Sequence, residues 1–204
     1  MAKVFVVYGP RGAGKTTSIV RLAEALEQRG VAVGGFFQRV TCDDLDRRGY
    51  DLVSLRDRTL VLHLARPVSA QDANGTTVCS FSFSEDALAA GRSWLEKDAT
   101  SSRVLLLDEI SKLEVRGQGH AQALRWALAL GDDKLLLLSV RGDQLFYVME
   151  TFGLHDHIVG FVEVPASDDV LTAQVERVVA MLDDGWEAMA WDVMDCPTPD
   201  QVGS

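Results

Sequence analysis

A chain of 204 residues, 47% hydrophobic and 25% charged, is long enough for one sizeable α/β domain, with room for an inserted subdomain. Its formal charge of −10, from 30 acidic and 20 basic residues, argues against a protein that grips nucleic acid with a broad basic face, because such binding works by neutralising phosphates. Cys42, Cys79 and Cys196 show no CxxC spacing, so neither a disulfide framework nor a zinc site is indicated, and no apolar stretch approaches the roughly 18 residues of a membrane span. The expectation is a soluble, cytoplasmic protein with no membrane contact.

The chain opens on the apolar run Val4 to Tyr8, a strand, and passes into Gly9-Pro10-Arg11-Gly12-Ala13-Gly14-Lys15-Thr16-Thr17. This stretch fits the pattern G-x-x-x-x-G-K-[ST]. Ile19, Leu22, Ala23 and Leu26 follow at the i, i+3, i+4, i+7 spacing of an amphipathic helix. A glycine-rich loop between strand and helix can wrap a phosphate in backbone N–H groups, aided by the positive end of the helix. Lys15 then neutralises β- and γ-phosphate oxygens, and Thr16 offers its hydroxyl to Mg²⁺. A nucleoside triphosphate, ATP or GTP, is the expected ligand.

Arg29-Gly30 stops the helix, and VAVGGFFQRV, residues 31 to 40, reads as a strand. Residues 41 to 49 read as a polar loop carrying Arg47 and Arg48. Tyr50 to Leu55 and Leu60 to Leu64 make a β-hairpin, residues 65 to 76 are irregular, and Thr77 to Phe83 is a further strand. Ser84 with Glu85 and Asp86 starts a helix that ends near Asp98.

Val104-Leu105-Leu106-Leu107 is apolar on both faces, as a central parallel strand covered by helices must be, and it ends in Asp108-Glu109. A helix is expected over Gly117 to Leu130, a second buried strand over Leu135 to Leu138 closing with Ser139, and a helix through Leu145, Val148, Met149 and Phe152 stopped by Gly153. Ile158 to Val164 is a strand, and Ser167 caps a last helix with Leu171, Val175, Val178, Val179 and Leu182 inside. Beyond Asp183 lies an acidic tail with Trp186 and Trp191.

Alternating strands and helices after an antiparallel insertion imply a mainly parallel sheet flanked by helices, with active groups at the strands' carboxyl ends. Asp108 stands at such an end, placed to hold Mg²⁺ directly or through a water. Glu109, one residue on, can accept a proton from a water in line with the γ-phosphate. Secondary candidates are Ser139, which could sense the γ-phosphate, and the cations Arg11, Arg47, Arg48, Lys112, Arg116 and Arg141, which could stabilise charge on the phosphoryl group. His155-Asp156-His157 has no third or fourth ligand nearby and makes a poor metal site. No N-K-x-D or T-K-x-D stretch supports guanine preference.

The sequences GPRGAGKTT, GGFFQRV and LLLDEISKLEV resemble those of the small P-loop nucleoside-triphosphatases described from thermophiles, a family with a human cancer-related member. The resemblance covers roughly residues 3 to 182. It implies a RecA-like strand arrangement and slow hydrolysis of several nucleoside triphosphates, with Lys15 and Thr16 on phosphate and Mg²⁺, Asp108 as the Walker B acid and Glu109 as the catalytic base. Lys112 and Glu114 match later charged positions of the same motif. Ser111 and Leu113 depart from the usual Gly and Met, and Ala166-Ser167-Asp168-Asp169 replaces an Asn-Arg-Asp sequence, so base selectivity does not carry over.

The expected organisation is a P-loop domain over residues 1–183, with an insertion at about 41–83, and a tail over 184–204 that could hold a protein partner. Two other functions compete with hydrolysis: a P-loop kinase with an acceptor pocket in the insertion, and a nucleotide-dependent switch whose slow hydrolysis times the binding of a partner.

Overall fold

The continuous apolar runs become strands whose alternate residues enter two separate cores. In β1 (Lys3–Gly9), Val4 and Val6 face one layer while Phe5 and Val7 face the other. The strands β7 (Val104–Ile110) and β8 (Leu135–Arg141) divide the same way, with Leu105, Leu107, Leu136 and Leu138 on one side and Leu106, Leu135 and Leu137 on the opposite side. A strand covered on both faces has no solvent side, so its sequence loses polar alternation.

This computed structural model describes residues 1–42, 48–67, 77–78 and 81–186. Among them, nine strands form one sheet in the order β5-β6-β4-β3-β2-β7-β8-β1-β9. The parallel part comprises β2 (Val33–Cys42), β7, β8, β1 and β9 (Ile158–Glu163). β8 lies between the P-loop strand β1 and the acid-bearing strand β7, which is the RecA-like order that the family resemblance implied.

The helices cover both faces. α1 (Lys15–Gln28) and α6 (Asp168–Asp184) bury Ile19, Leu22, Leu26, Leu171, Val175 and Val178 in one core. α2 (Glu85–Asp98), α4 (Ala121–Leu128) and α5 (Leu145–Phe152) supply Leu95, Leu124, Val148 and Phe152 to the other. Ser84 and Ser167 act as N-caps, their hydroxyls accepting from the N–H groups of Ala87 and Val170.

The antiparallel addition grows out of β2 itself. Val33 to Phe36 pair parallel with β7, and Phe36 to Cys42 pair antiparallel with β3 (Arg48–Ser54), so one strand belongs to both parts of the sheet. Arg48 and Gly49, expected in a loop, are strand residues. β4 (Val61–Pro67) completes the expected hairpin. The stretch expected as one strand over 77 to 83 is two, β5 (Thr77–Val78) and β6 (Phe81–Phe83), paired antiparallel.

One expected helix is also corrected. The segment after the acids forms a short α3 (Lys112–Val115), and α4 begins only at Ala121. The Glu114 carboxylate accepts from the N–H groups of Ser111 and His120, which ties residues 111 to 120 into their own turn and delays the longer helix.

No helix among the described residues is long and apolar enough to cross a membrane. Most of the acidic tail, residues 187–204, lies outside the described residues; at its start Trp186 Nε1 donates to the Asp132 carbonyl at 2.6 Å.

Leu106 is fully buried in the central strand. Leu106→Ala should cost about 2–5 kcal/mol in urea denaturation, and a loss below about 1 kcal/mol would show that the sheet's centre collapses freely around the gap.

Candidate functional site

β1 delivers the chain into the P-loop at Gly9, where a side chain has no room: a Cβ there would stand 2.5 Å from the Val164 carbonyl oxygen. Pro10, Arg11, Gly12 and Ala13 make the turn, and the Ala13 N–H returns to the Pro10 carbonyl. Gly14 adopts a left-handed φ of 89° directly before α1, a conformation that suits glycine. Unlike α2 and α6, α1 starts with no side-chain cap and no acid in its first turn. Its positive end therefore faces the loop uncompensated, as an anion site requires.

Lys15 is only 3% exposed, and its Nζ donates to the Pro10 carbonyl at 3.2 Å and lies 3.8 Å from Glu109 Oε1. Thr16 follows on the inner side and donates its hydroxyl to Asp108 Oδ2 at 2.8 Å. Thr17 occupies the same first turn of α1.

Asp108 is fully buried, and burial pushes its carboxyl pKa upward against the hydrogen bonds that favour the charged form. Ser139 Oγ donates to Oδ1 at 2.5 Å, and the Gln38 N–H donates to Oδ2 at 3.0 Å beside Thr16. Ser139 also accepts the Glu109 N–H at 2.8 Å. In this geometry its single proton goes to Asp108 and its oxygen takes the Glu109 N–H, so the serine links the two acids.

Glu109 has a φ of 59°, the one positive φ among the described non-glycine residues. Successive strand residues ordinarily point to opposite faces. Here the β7–β8 register breaks between Leu107 and Ile110, and the turned backbone brings both Asp108 to Thr16 and Glu109 to Lys15. Such a conformation costs on the order of 1–3 kcal/mol, which the bond to Ser139 helps to offset. Burial and the neighbouring Asp108 raise the Glu109 pKa, while Lys15, Arg141 and Arg11 pull it down.

The secondary candidates separate. Arg11, Lys112 and Arg141 line the cavity beside Glu109, with Arg141 also paired to Asp143 at 2.6 Å. Arg116 sits exposed at the end of α3 and does not line that cavity. Arg47 lies outside the described residues. Gln38, Glu114 and His120 are site residues that the sequence reading either missed or left without a role. Gln38 reaches Asp108 through its backbone N–H at 3.0 Å and its side-chain amide at 3.4 Å from the Asp108 carbonyl, a pairing across strands that no local pattern reveals, and the burial of Glu114 and His120 arises from packing.

Among the described residues no three His, Cys, Asp or Glu side chains gather as a metal cage. The Thr16 hydroxyl and Asp108 carboxylate still suit a hard divalent cation, which takes oxygen ligands and draws the remainder from phosphate and water.

The sheet order and the loop between β1 and α1 define a P-loop NTPase fold of the RecA-like kind. Residues 4–164 match the family model described as NTPase, and the chain belongs to that family. It is 33% identical over 134 residues to the human cancer-related nucleoside-triphosphatase, covering 63% of this chain and 70% of that protein. It is 30% identical over 142 residues to nucleoside-triphosphatase THEP1 of Thermofilum pendens, covering 68% and 74%. In fold it is similar to the solution structure of a human cancer-related nucleoside triphosphatase, with a TM-score of 0.65, 23% identity and coverage of 90% of this chain and 98% of that one. The crystal structure of THEP1 from Aquifex aeolicus gives a TM-score of 0.59 at 17% identity, over 88% and 99% of the chains.

Two buried groups behind the site give opposite pH signatures. Burial raises Glu114 from 4.5 to about 7, so the folded state holds an extra proton and this group's contribution to stability falls as pH rises from about 4.5 to 7. Burial lowers His120 from 6.5 to about 4, so its contribution rises between about pH 4 and 6.5. Glu114→Gln should remove the first slope: its stability relative to the parent should climb by up to about 3 kcal/mol between pH 4.5 and 7 in urea titrations, whereas a flat difference would show that Glu114 ionises freely.

Proposed function

We propose that this chain is a Mg²⁺-dependent nucleoside-triphosphatase that releases the nucleoside diphosphate and phosphate. The observation that carries the reading is the meeting of Lys15, Thr16, Asp108 and Glu109 at one strand end, with Thr16 on Asp108 at 2.8 Å and Lys15 at 3.8 Å from Glu109. The family's name and the names of the relatives support the same activity.

The loop amides and the α1 N-terminus bind the phosphates, and Lys15 balances charge on the β- and γ-phosphate oxygens. Thr16 and Asp108 would hold Mg²⁺, which when bound supplies further neutralisation of those oxygens. Glu109 takes a proton from the attacking water, and its raised pKa brings a carboxylate nearer to the working range of a general base. Ser139 keeps the Glu109 backbone turned toward Lys15. ATP, GTP and other triphosphates are all proposed substrates, because the motifs contact phosphate and leave the base unread. The cytoplasm is the proposed location.

Phosphate release measured over ATP, GTP, CTP and UTP should be abolished by Lys15→Ala, fall roughly 10²–10⁴-fold in Glu109→Gln, and stop when EDTA removes Mg²⁺. Nucleotide binding with no turnover in the parent protein would overturn the proposal. The tail's role as a partner-binding arm rests on its sequence; deletion of residues 187–204 should abolish partner capture and leave phosphate release within about twofold, and unchanged capture would remove that role.

A further inference from the structure

A left-handed turn at a non-glycine residue persists only where its surroundings hold it. At Glu109 the hold on the side where the chain arrives is Ser139, whose Oγ accepts the Glu109 N–H. On the side where the chain leaves, Ile110 rejoins the pairing with β8 opposite Val140, and β7 ends there. Ser111 departs from the strand at φ −157° and ψ −145°, so two residues beyond Glu109 the sheet no longer fixes the backbone.

The Glu114 carboxylate takes over at that point. Its Oε2 accepts the Ser111 N–H at 2.8 Å and its Oε1 accepts the His120 N–H at 2.9 Å, so one side chain clasps both ends of the 111–120 segment. Glu114 is buried, and burying a carboxylate is costly unless donors such as these satisfy it. The fit is close: at Gly119, with φ 56°, a Cβ would collide with Glu114 Oε1. Glu109, Ser111, Lys112 and Glu114 line one cavity, so the clasped segment forms the wall beside Glu109. Burial raises the Glu114 pKa to about 7, and the charge of Glu109 adds to the rise, so the two carboxyl groups lie within electrostatic reach of each other.

We propose that Glu114 is a positioning residue for Glu109: by fixing Ser111 and the turn behind it, it holds the downstream side of the strained backbone and keeps the Glu109 carboxylate aimed at the attacking water. The inference rests on Glu109 acting as the general base of hydrolysis. Ser139 and Glu114 then grip that base from its two ends, the first through the Glu109 N–H and the second through the Ser111 N–H. Glu114 acts through the backbone and not on the substrate. A base displaced by about 1 Å slows the chemical step, while the phosphates stay bound by loop amides and Lys15, which belong to other elements. Losing the clasp should therefore lower the rate at saturation and leave nucleotide affinity in place.

The test is single-turnover phosphate release from ATP with Mg²⁺, run on the full chain at about pH 8, above the Glu114 pKa, beside a binding assay with fluorescent ADP. Glu114→Gln keeps the volume and turns one acceptor into an N–H donor; its rate at saturation should fall about tenfold, with ADP affinity within about twofold of the parent. Gly119→Ala leaves the acid in place and drives a methyl group against Oε1, so it should show a similar loss, and it provides the reading if Glu114→Gln lacks a cooperative melting transition. Gly117→Ala is the control: its φ of 76° carries comparable backbone strain, its Cβ meets open space, and its rate should stay within about twofold of the parent. In a Glu109→Gln background the losses from Glu114→Gln and Gly119→Ala should shrink to within about twofold, because the group being positioned is gone. An unchanged rate in either folded variant, an equal loss in Gly117→Ala, a full loss with Glu109 already replaced, or a loss matched by weaker ADP binding would each overturn the proposal and leave hydrolysis standing. A parent that binds ADP and releases no phosphate would overturn the hydrolase reading and this inference with it.

Discussion

The site depends on one buried carboxylate. Asp108 has no contact with solvent, and a charge in that position is tolerable only when donors surround it. Those donors come from three separate elements: Thr16 from the first turn of α1, the Gln38 N–H from β2, and Ser139 from the end of β8. The same acid that is suited to hold a cation therefore also fixes the P-loop helix against the neighbouring strand ends. Removing any one donor leaves part of a buried carboxylate unsatisfied, so the geometry of the site and the cohesion of the sheet's carboxyl edge are coupled.

Glu109 follows from the same arrangement. Its neighbour is anchored, β8 supplies a hydroxyl to receive its N–H, and the backbone turns into the left-handed region between them. A regular strand would send one of the two acids to the far face. The break in register keeps both beside the P-loop, and Lys15 then stands between the loop carbonyl of Pro10 and the Glu109 carboxylate.

The antiparallel addition changes what surrounds that pair. Because β2 pairs with β7 at its start and with β3 at its end, the addition is continuous with the central sheet, and Tyr50, Phe81 and Phe83 reach the cavity next to Glu109. His120 closes the wall from the segment that Glu114 holds in place. A raised acid and a depressed base, Glu114 and His120, sit together behind the acids of the site, because burial disfavours the charged form of each.

Much of this was legible in the chain by local rules. The P-loop needs its glycines, Lys15 and Thr16 at set offsets, and a strand buried on both faces has to read as an unbroken apolar run, so β1, α1, β7, β8 and the carboxyl-end position of Asp108 and Glu109 follow from residue spacing. Ser84 and Ser167 likewise mark their helices through a hydroxyl followed by acids. The limits lay where partners are distant in sequence. A helix expected over residues 117 to 130 begins at Ala121 because Glu114 captures two backbone N–H groups, and Ser139 orients Asp108 across two strands, which no local pattern displays. Sequence by itself determined the phosphate-binding chemistry, since that chemistry is carried by contiguous backbone and adjacent side chains. Only the tertiary structure decided the turn at Glu109, the burial of His120 and the aromatic-walled cavity beside Glu109, since each is set by contacts between segments that meet only when the sheet is assembled.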